Sequence, residues 1–430
     1  MLLLHLSDIH FRRGEVGAAM DPNFHLRNEL VRDAERMCAQ LGAPDAVLIS
    51  GDIAFAGHPD EYGFATAWLG ELCTRCQTTL ASVFTIPGNH DVVRQVASRA
   101  VIQALHRDIK AADPIAVDST LRGLLSDEAA KRLLYESIEP YNLFAGQFFC
   151  DLLPPERMIA QRVLTLNDGS LLRLSGYNSA VVSSAADQPN DLFVDPACFQ
   201  VTREPGVENV VLCHHPYNWL RQGDRLRDHL HDVARLQLFG HEHTNRIDMG
   251  RDWIRLAASA AHPDRGEPGW EPGYNLIELR VHGTGTDRRL ETRVHVRVWQ
   301  TAPGRFRPKM DRDEAVFCQS IRLDSWDGGT TVSATATDPA VAPAVLSAQD
   351  NAPAPTRSDP MDTLRDISVR FFKLSLSQKS AIAGKLGLLE EEDVNQPDFE
   401  RFRRVFIRAR ERDQVHDLDR EVRETTDRRR

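Results

Sequence analysis

The 430-residue sequence predicts an α/β domain followed by a small all-α unit. Short runs rich in Leu, Ile and Val recur as LLLHLSD, DAVLISGD, SVFTIPGN, LLRLSGYN, VVLCHHP and RLQLFGHEH. Each ends in Gly, His, Asp or a similar polar residue, the pattern of buried strands whose carboxyl ends carry chemistry. Helical stretches, His25 to Leu41 and Tyr62 to Cys76, separate the first three runs and give a β-α-β-α-β opening.

From about Val92 to Cys150 the chain is polar and periodic with few strand formers, which predicts a helical insertion after the third strand. WIRLAAS, YNLIELRV and VHVRVWQ then predict antiparallel strands that complete a second sheet, and the domain is expected to close by residue 330. Residues 331–360 are rich in Ala, Pro, Thr, Ser and Asp and hold no aromatic side chain, a linker composition that predicts few contacts between the units it joins. Residues 361–430 regain helical spacing. Leu364, Ile367, Phe371 and Leu374 form one stripe, Ser377 is placed to cap a second helix that Gly387 ends, and Pro397 opens a third with Phe399, Phe402, Phe406 and Ala409 on one face. This tail is expected to be an adaptor or oligomerisation module.

Composition narrows the function classes. A net charge of −10 argues against indiscriminate coating of nucleic acid, although bound dications would reverse the sign locally. No run approaches the roughly 20 apolar residues a membrane span requires, and the amino terminus reads as a core strand. Seven scattered cysteines suit reduced thiols in a cytoplasm; Cys73 and Cys76 form a lone CxxC with no second pair to complete a zinc site.

The chemistry concentrates at strand ends. Asp8 and His10 lie in SDIH, Asp52 in GDI, Asn89, His90 and Asp91 in GNHD, His214 and His215 in CHHP, and His241 and His243 in GHEH. Carboxyl ends of parallel strands share one edge of a sheet, so these fragments converge on a single crevice. Carboxylate, imidazole and one amide oxygen, without thiolate, suit manganese, iron, zinc or nickel ions that keep open positions. Each fragment alone fits a turn or a strand end. Five together, in order, fit a binuclear centre.

In these motifs the sequence resembles the calcineurin-like metallophosphoesterase superfamily over about residues 1 to 325. The resemblance implies a β-sandwich of mixed sheets flanked by helices. It implies two divalent ions, manganese first among the candidates, with Asp8, His10 and His243 on one ion and Asn89, His214 and His241 on the other. Asp52 would bridge them, His90 would contact the scissile phosphate, and Asp91 would orient His90. Arg12, His215 and Asn178 are the candidates for substrate contacts, while His5, inside the first strand, reads as a core imidazole. The implied activity is hydrolysis of phosphodiesters of nucleotide type, in nucleic acid or cyclic nucleotides, in a bacterial cytoplasm. A phosphomonoesterase or protein phosphatase is the alternative chemistry. The alternative class is a partner-binding effector of a defence or signalling system, acting through a protein partner or self-association of residues 361–430.

Overall fold

The computed structural model describes residues 1–427 apart from 19–20, 114, 264–265, 267–268, 327 and 329–359. The chain opens with β1 (Leu2–Leu6), α1 (Phe24–Leu41), β2 (Ala46–Ile49), α2 (Pro59–Arg75) and β3 (Val83–Thr85). Helices α3 (Arg94–Ala97), α4 (Ala100–Ala111), α5 (Val117–Ser126), α6 (Glu128–Glu136) and α7 (Glu139–Ala145) follow. Next come β4 (Ile159–Thr165), β5 (Leu171–Tyr177), β6 (Val207–Cys213), α8 (Gly223–Val233), β7 (Ala234–Phe239), β8 (Arg246–Met249) and β9 (Ile254–Ala257). Strands β10 (Gly273–His282), β11 (Arg289–Thr301), β12 (Gly304–Pro308) and β13 (Phe317–Arg322) complete this body.

Two mixed sheets result. One runs β12-β11-β10-β1-β2-β3, with β13 also on β11; the other runs β4-β5-β6-β7-β9-β8. Inner-face residues of both, among them Leu3, Leu48 and Val294 from the first and Leu174, Leu212 and Leu238 from the second, belong to one buried cluster. The fold is therefore a sandwich, as the sequence implies. Its two sheets approach closely at Gly176, where a Cβ would run into Ile86 and Phe84.

The late strands correct one expectation. WIRLAAS supplies β9, which pairs parallel with β7, whereas β10 and β11 join the first sheet, β10 lying antiparallel to β1. Apolar runs define strands but do not say which open edge a returning strand will cover, and here the edge of β1 was free to take β10. Strands β1, β2 and β3 are mutually parallel, as are β5, β6, β7 and β9. Their carboxyl ends thus face one edge.

The tail forms α9 (Pro360–Phe372), α10 (Leu376–Lys385), α11 (Asp398–Glu411) and α12 (Val415–Asp427). The cap of α10 is Ser375, in a reciprocal pair with Gln378, and Ser377 lies inside the helix. Leu364, Ile367, Phe371, Phe402, Phe406, Leu418 and Val422 make the bundle's own core. The Ala/Pro-rich linker lies outside the described residues, except that α9 begins at Pro360.

Few contacts between body and tail were expected, and the structure differs. Val369 of α9 enters the main core of the body. Arg403 of α11 holds Asp151 at 2.6 Å, and Arg157 bridges Asp151 at 2.6 Å to Glu400 of α11 at 2.7 Å. Phe149 meets the Phe406 ring edge-on at 5.8 Å. Composition of a linker reports the linker, not the faces of the elements it joins.

Candidate metal centre at the strand ends

Asp8 and His10 do not hang from β1, which ends at Leu6. They lie in the turn beyond it, and their orientation comes from the backbone rather than from strand alternation. Asp8, His10, Asp52, His241 and His243 have φ of 51°, 52°, 54°, 71° and 54°. Left-handed backbone is uncommon for residues other than glycine and persists where surroundings over-determine it. The surroundings here are explicit: the N–H groups of Asp8, Ile9 and His10 donate to the carbonyls of Gly51 and Asp52, at 2.8–3.1 Å. The loops must also come very close. A Cβ on Gly88 would collide with the Asp52 carboxylate, and one on Gly51 with the His214 ring, so both positions require glycine.

This places the candidate ligands in two adjoining groups. In one, His243 Nε2 lies 3.3 Å from Asp8 Oδ1, and His10 Nε2 lies 3.3 Å from Asp52 Oδ2. In the other, Asn89 Oδ1 lies 3.1 Å from His214 Nε2 and 3.0 Å from His241 Nδ1. Asp52 belongs to both, because the same Oδ2 is 3.2 Å from His214 Nε2 while its Oδ1 accepts the His90 N–H at 2.7 Å. The carboxylate thus stands between the groups.

The donor set fits two divalent cations. Bonds of about 2.1 Å put neighbouring donors on one ion roughly 3 Å apart, the spacing seen here. Asp8 Oδ1 is buried, and beyond the long 3.3 Å approach of His243 Nε2 no donor among the described residues serves it. His214 and His10 lie in the groups Asp8–Asp52–His214 and Asp8–His10–His243, whose donor atoms are all within 4.8 Å of one another. Burial disfavours the charged form of Asp52, but the His214 charge and hydrogen bonds from His10 and His214 outweigh it and hold the carboxyl well below its ordinary range. Burial also works against the charged form of His214, yet Asp52 lifts that ring to about 9. The site is a buried concentration of negative charge matched by whatever cations it holds.

His90 stands beside the ligands, its ring 4.6 Å from that of His10. Its Nδ1 lies 2.8 Å from the Phe55 carbonyl, which can only accept, so Nδ1 carries the proton and Nε2 is left for another partner. The orienting group is thus that carbonyl, not Asp91 as expected. The Asp91 carboxylate is fully buried and accepts from the N–H groups of Gly88, Ile53 and Ala54 and from the Tyr62 hydroxyl. It clasps the loop after β2 to the loop after β3, and reaches His90 only through the backbone it holds.

The substrate candidates divide. Arg12 lies over the Phe55 ring at 3.9 Å and pairs with Glu15, on the rim beside His90. His215 is buried behind the ligands: its Nδ1 lies 2.8 Å from Ser179 Oγ and its ring 4.5 Å from that of His241. Asn178 is buried too, and its side-chain oxygen closes a turn on the Ala180 N–H. Both side chains are buried, at 0% and 2% exposure, where an open substrate contact was expected, and His215 shares with His214 and His241 a group whose donor atoms lie within 4.8 Å of one another. Trp219, by contrast, sets its ring 4.2 Å from His241. His5 is a core residue, bonded to Ser50 and Asn275 and held down to about 4 by burial. Phe55 and Ser50, whose carbonyls fix His90 and His214, had no signal in the sequence, because a backbone acceptor has no residue type.

A mixed β-sandwich that gathers these donors at its parallel strand ends defines a metallophosphoesterase. The chain belongs to the calcineurin-like phosphoesterase family, whose model matches residues 1–245, and residues 363–424 match a GTPase-associated adaptor domain. A glycerophosphodiester phosphodiesterase of Enterobacter lignolyticus is 37% identical over 97 residues, 21% of this chain and 30% of that protein. A probable cyclic nucleotide phosphodiesterase of Rhodococcus erythropolis is 34% identical over 90 residues, 21% of this chain and 28% of that protein. The matched segments therefore span less than a third of either relative. Among solved structures, GAP50 of Plasmodium aligns over 76% of this chain and 90% of its own, with 9% identity and a TM-score of 0.39. Vps29 of Chaetomium thermophilum aligns over 75% and 98%, with 10% identity and a TM-score of 0.29. No helix among the described residues is long and apolar enough to cross a membrane.

Proposed function

We propose that this chain hydrolyses phosphodiesters of nucleotide type, in nucleic acid or cyclic nucleotides, with two divalent ions held by Asp8, His10, His243, Asn89, His214, His241 and the shared Asp52. The observation that carries the reading is the position of Asp52 Oδ2 between His10 and His214, which suits a carboxylate common to two ions. Two such ions would activate a water for attack and offset charge on the phosphoryl oxygens. The chain's own part is positional. Asp52 fixes the His90 backbone, the Phe55 carbonyl fixes its ring, and Nε2 is presented to a substrate oxygen near the leaving group. Arg12 on the rim supplies a cation for a non-bridging oxygen.

Manganese is the ion we favour, with iron, zinc and nickel as alternatives. The two matched phosphodiesterases support diester over monoester substrates. The tail's match to a GTPase-associated adaptor domain supports a protein partner, in a defence or signalling role, over simple self-association. A cytoplasmic setting belongs to the same reading, and the seven unbridged cysteines suit it.

The test is the full-length protein stripped with a chelator and then loaded separately with each metal. Its substrates are an artificial diester and monoester, cyclic nucleotides, and single- and double-stranded DNA and RNA. Chelation is expected to abolish turnover and manganese to restore it on diesters. Restored turnover confined to monoesters would overturn the diester assignment, and failure to bind any metal would overturn the site. With the best diester, His90→Ala is expected to keep both ions while kcat falls roughly 10²–10⁴-fold, the usual worth of a positioned acid or base. Loss of metal, or an effect on KM alone, would remove His90 from that role.

A further inference from the structure

We infer that His262 is a positioning residue that locks the first ligand turn from behind, an inference that rests on the metal site proposed above. The turn carrying Asp8 and His10 hangs between two loops. On one side its N–H groups are taken by Gly51 and Asp52. On the other, the carbonyls of Ser7 and Asp8 accept from the backbone N–H groups of Ala261 and His262, at 2.9 and 3.3 Å. The carbonyl between the ligands, that of Ile9, is served by a side chain: His262 Nδ1 lies 2.7 Å from it. Because a carbonyl only accepts, the proton sits on Nδ1.

Any residue but proline at 261 or 262 would supply the two backbone bonds. The third depends on the side chain at 262. Ile9 is fully buried, so water cannot replace that donor, and a freed carbonyl would let the left-handed turn relax. His262 is held in place by the edges and faces of Phe11 and Trp68, whose rings lie 6.2 and 6.0 Å away. It is 3% exposed, and its Nε2 has no hydrogen-bond partner among the described residues. It also stands outside every group of candidate ligands. Its contribution passes through the Ile9 carbonyl to the φ of Asp8 and His10, and so to where their side chains meet a cation.

Two substitutions in the full-length protein separate this from simple filling of an apolar gap. His262→Asn keeps a donor at the place of Nδ1 and loses the ring, while His262→Phe keeps the ring and loses the donor. Manganese titration of the stripped proteins, followed by calorimetry, is expected to show His262→Phe weakened about tenfold or more at one of two ions, the usual scale for a lost supporting hydrogen bond. His262→Asn should bind within about threefold of wild type, although its Tm falls more because packing is lost. Wild-type affinity in His262→Phe, or equal weakening of both variants, would overturn the inference. If His262→Phe does not fold, His262→Leu takes its place with the same two readings. A wild-type protein that binds fewer than two ions would instead overturn the metal site itself.

Discussion

Asp52→Asn is expected to leave a folded protein that has lost at least one ion and roughly 10³-fold or more in turnover, since a metal supplies several kcal/mol of transition-state stabilisation and each 1.4 kcal/mol is tenfold. The fold should survive for local reasons. Asparagine accepts the left-handed conformation at φ 54° at least as readily as aspartate, and its side-chain oxygen still takes the His90 N–H. What disappears is the charge and the second oxygen, the one between His10 and His214. Burial works against the charged form of His214, so losing the Asp52 carboxylate, which does most to raise that ring, shifts it toward the neutral form. Metal analysis after dialysis, with circular dichroism to confirm the fold, is the measurement. Two ions per chain in the variant would mean that Asp52 is not shared, and the centre would have to be rebuilt around Asp8.

The candidate ligands were legible as a set because each motif ends an apolar run, and parallel strand ends share an edge. What the motifs could not carry is the backbone. Left-handed turns at Asp8 and His10 depend on bonds to Gly51 and Asp52, far away in sequence, and the support of His90 depends on a carbonyl of Phe55. Asp91 shows the limit most clearly. Its place in GNHD pointed to a partner for the neighbouring imidazole, whereas its carboxylate serves three backbone donors across two loops. The edge strands were illegible for a related reason. β4 and β13 alternate exposed and buried positions over short runs, and such patterns gain meaning only from the neighbour they pair with. In the tail, a stripe of phenylalanines predicted a buried face, but not that Phe399 would lie against Gly146 of the body while Phe402 and Phe406 fill the bundle.

Removal of the tail at residue 330 is expected to destabilise the body severely, the reverse of what linker composition predicts. Three losses coincide. Val369 leaves the main core and opens the surface it covered beside the turn before β3. Phe149 loses both the Phe406 ring and the Arg403 guanidinium, which lies 5.5 Å from its centroid. Asp151 loses Arg403, and Arg157 loses Glu400. Burial alone would raise the Asp151 carboxyl, and Arg403 with Arg157 holds it below its ordinary value instead. Taking one partner from a buried pair costs about 3–5 kcal/mol, and because Asp151 keeps Arg157 the loss of Arg403 falls at the lower end, about 3 kcal/mol. At the usual few degrees per kcal/mol for a domain of this size, that alone lowers Tm by roughly 10 °C. Arg403→Ala in the full chain isolates the ionic part and should reproduce most of that fall without aggregation. The truncated protein should in addition expose apolar surface, seen as association in light scattering. The truncated site sits downstream of this damage: the turn before β3 leads through that strand to Asn89 and His90, so metal occupancy should fall with Tm. A truncated body that is monodisperse, with unchanged Tm and both ions, would show that the docked tail is a passenger, and the ionic contacts of α11 would then matter only for where the adaptor unit is held.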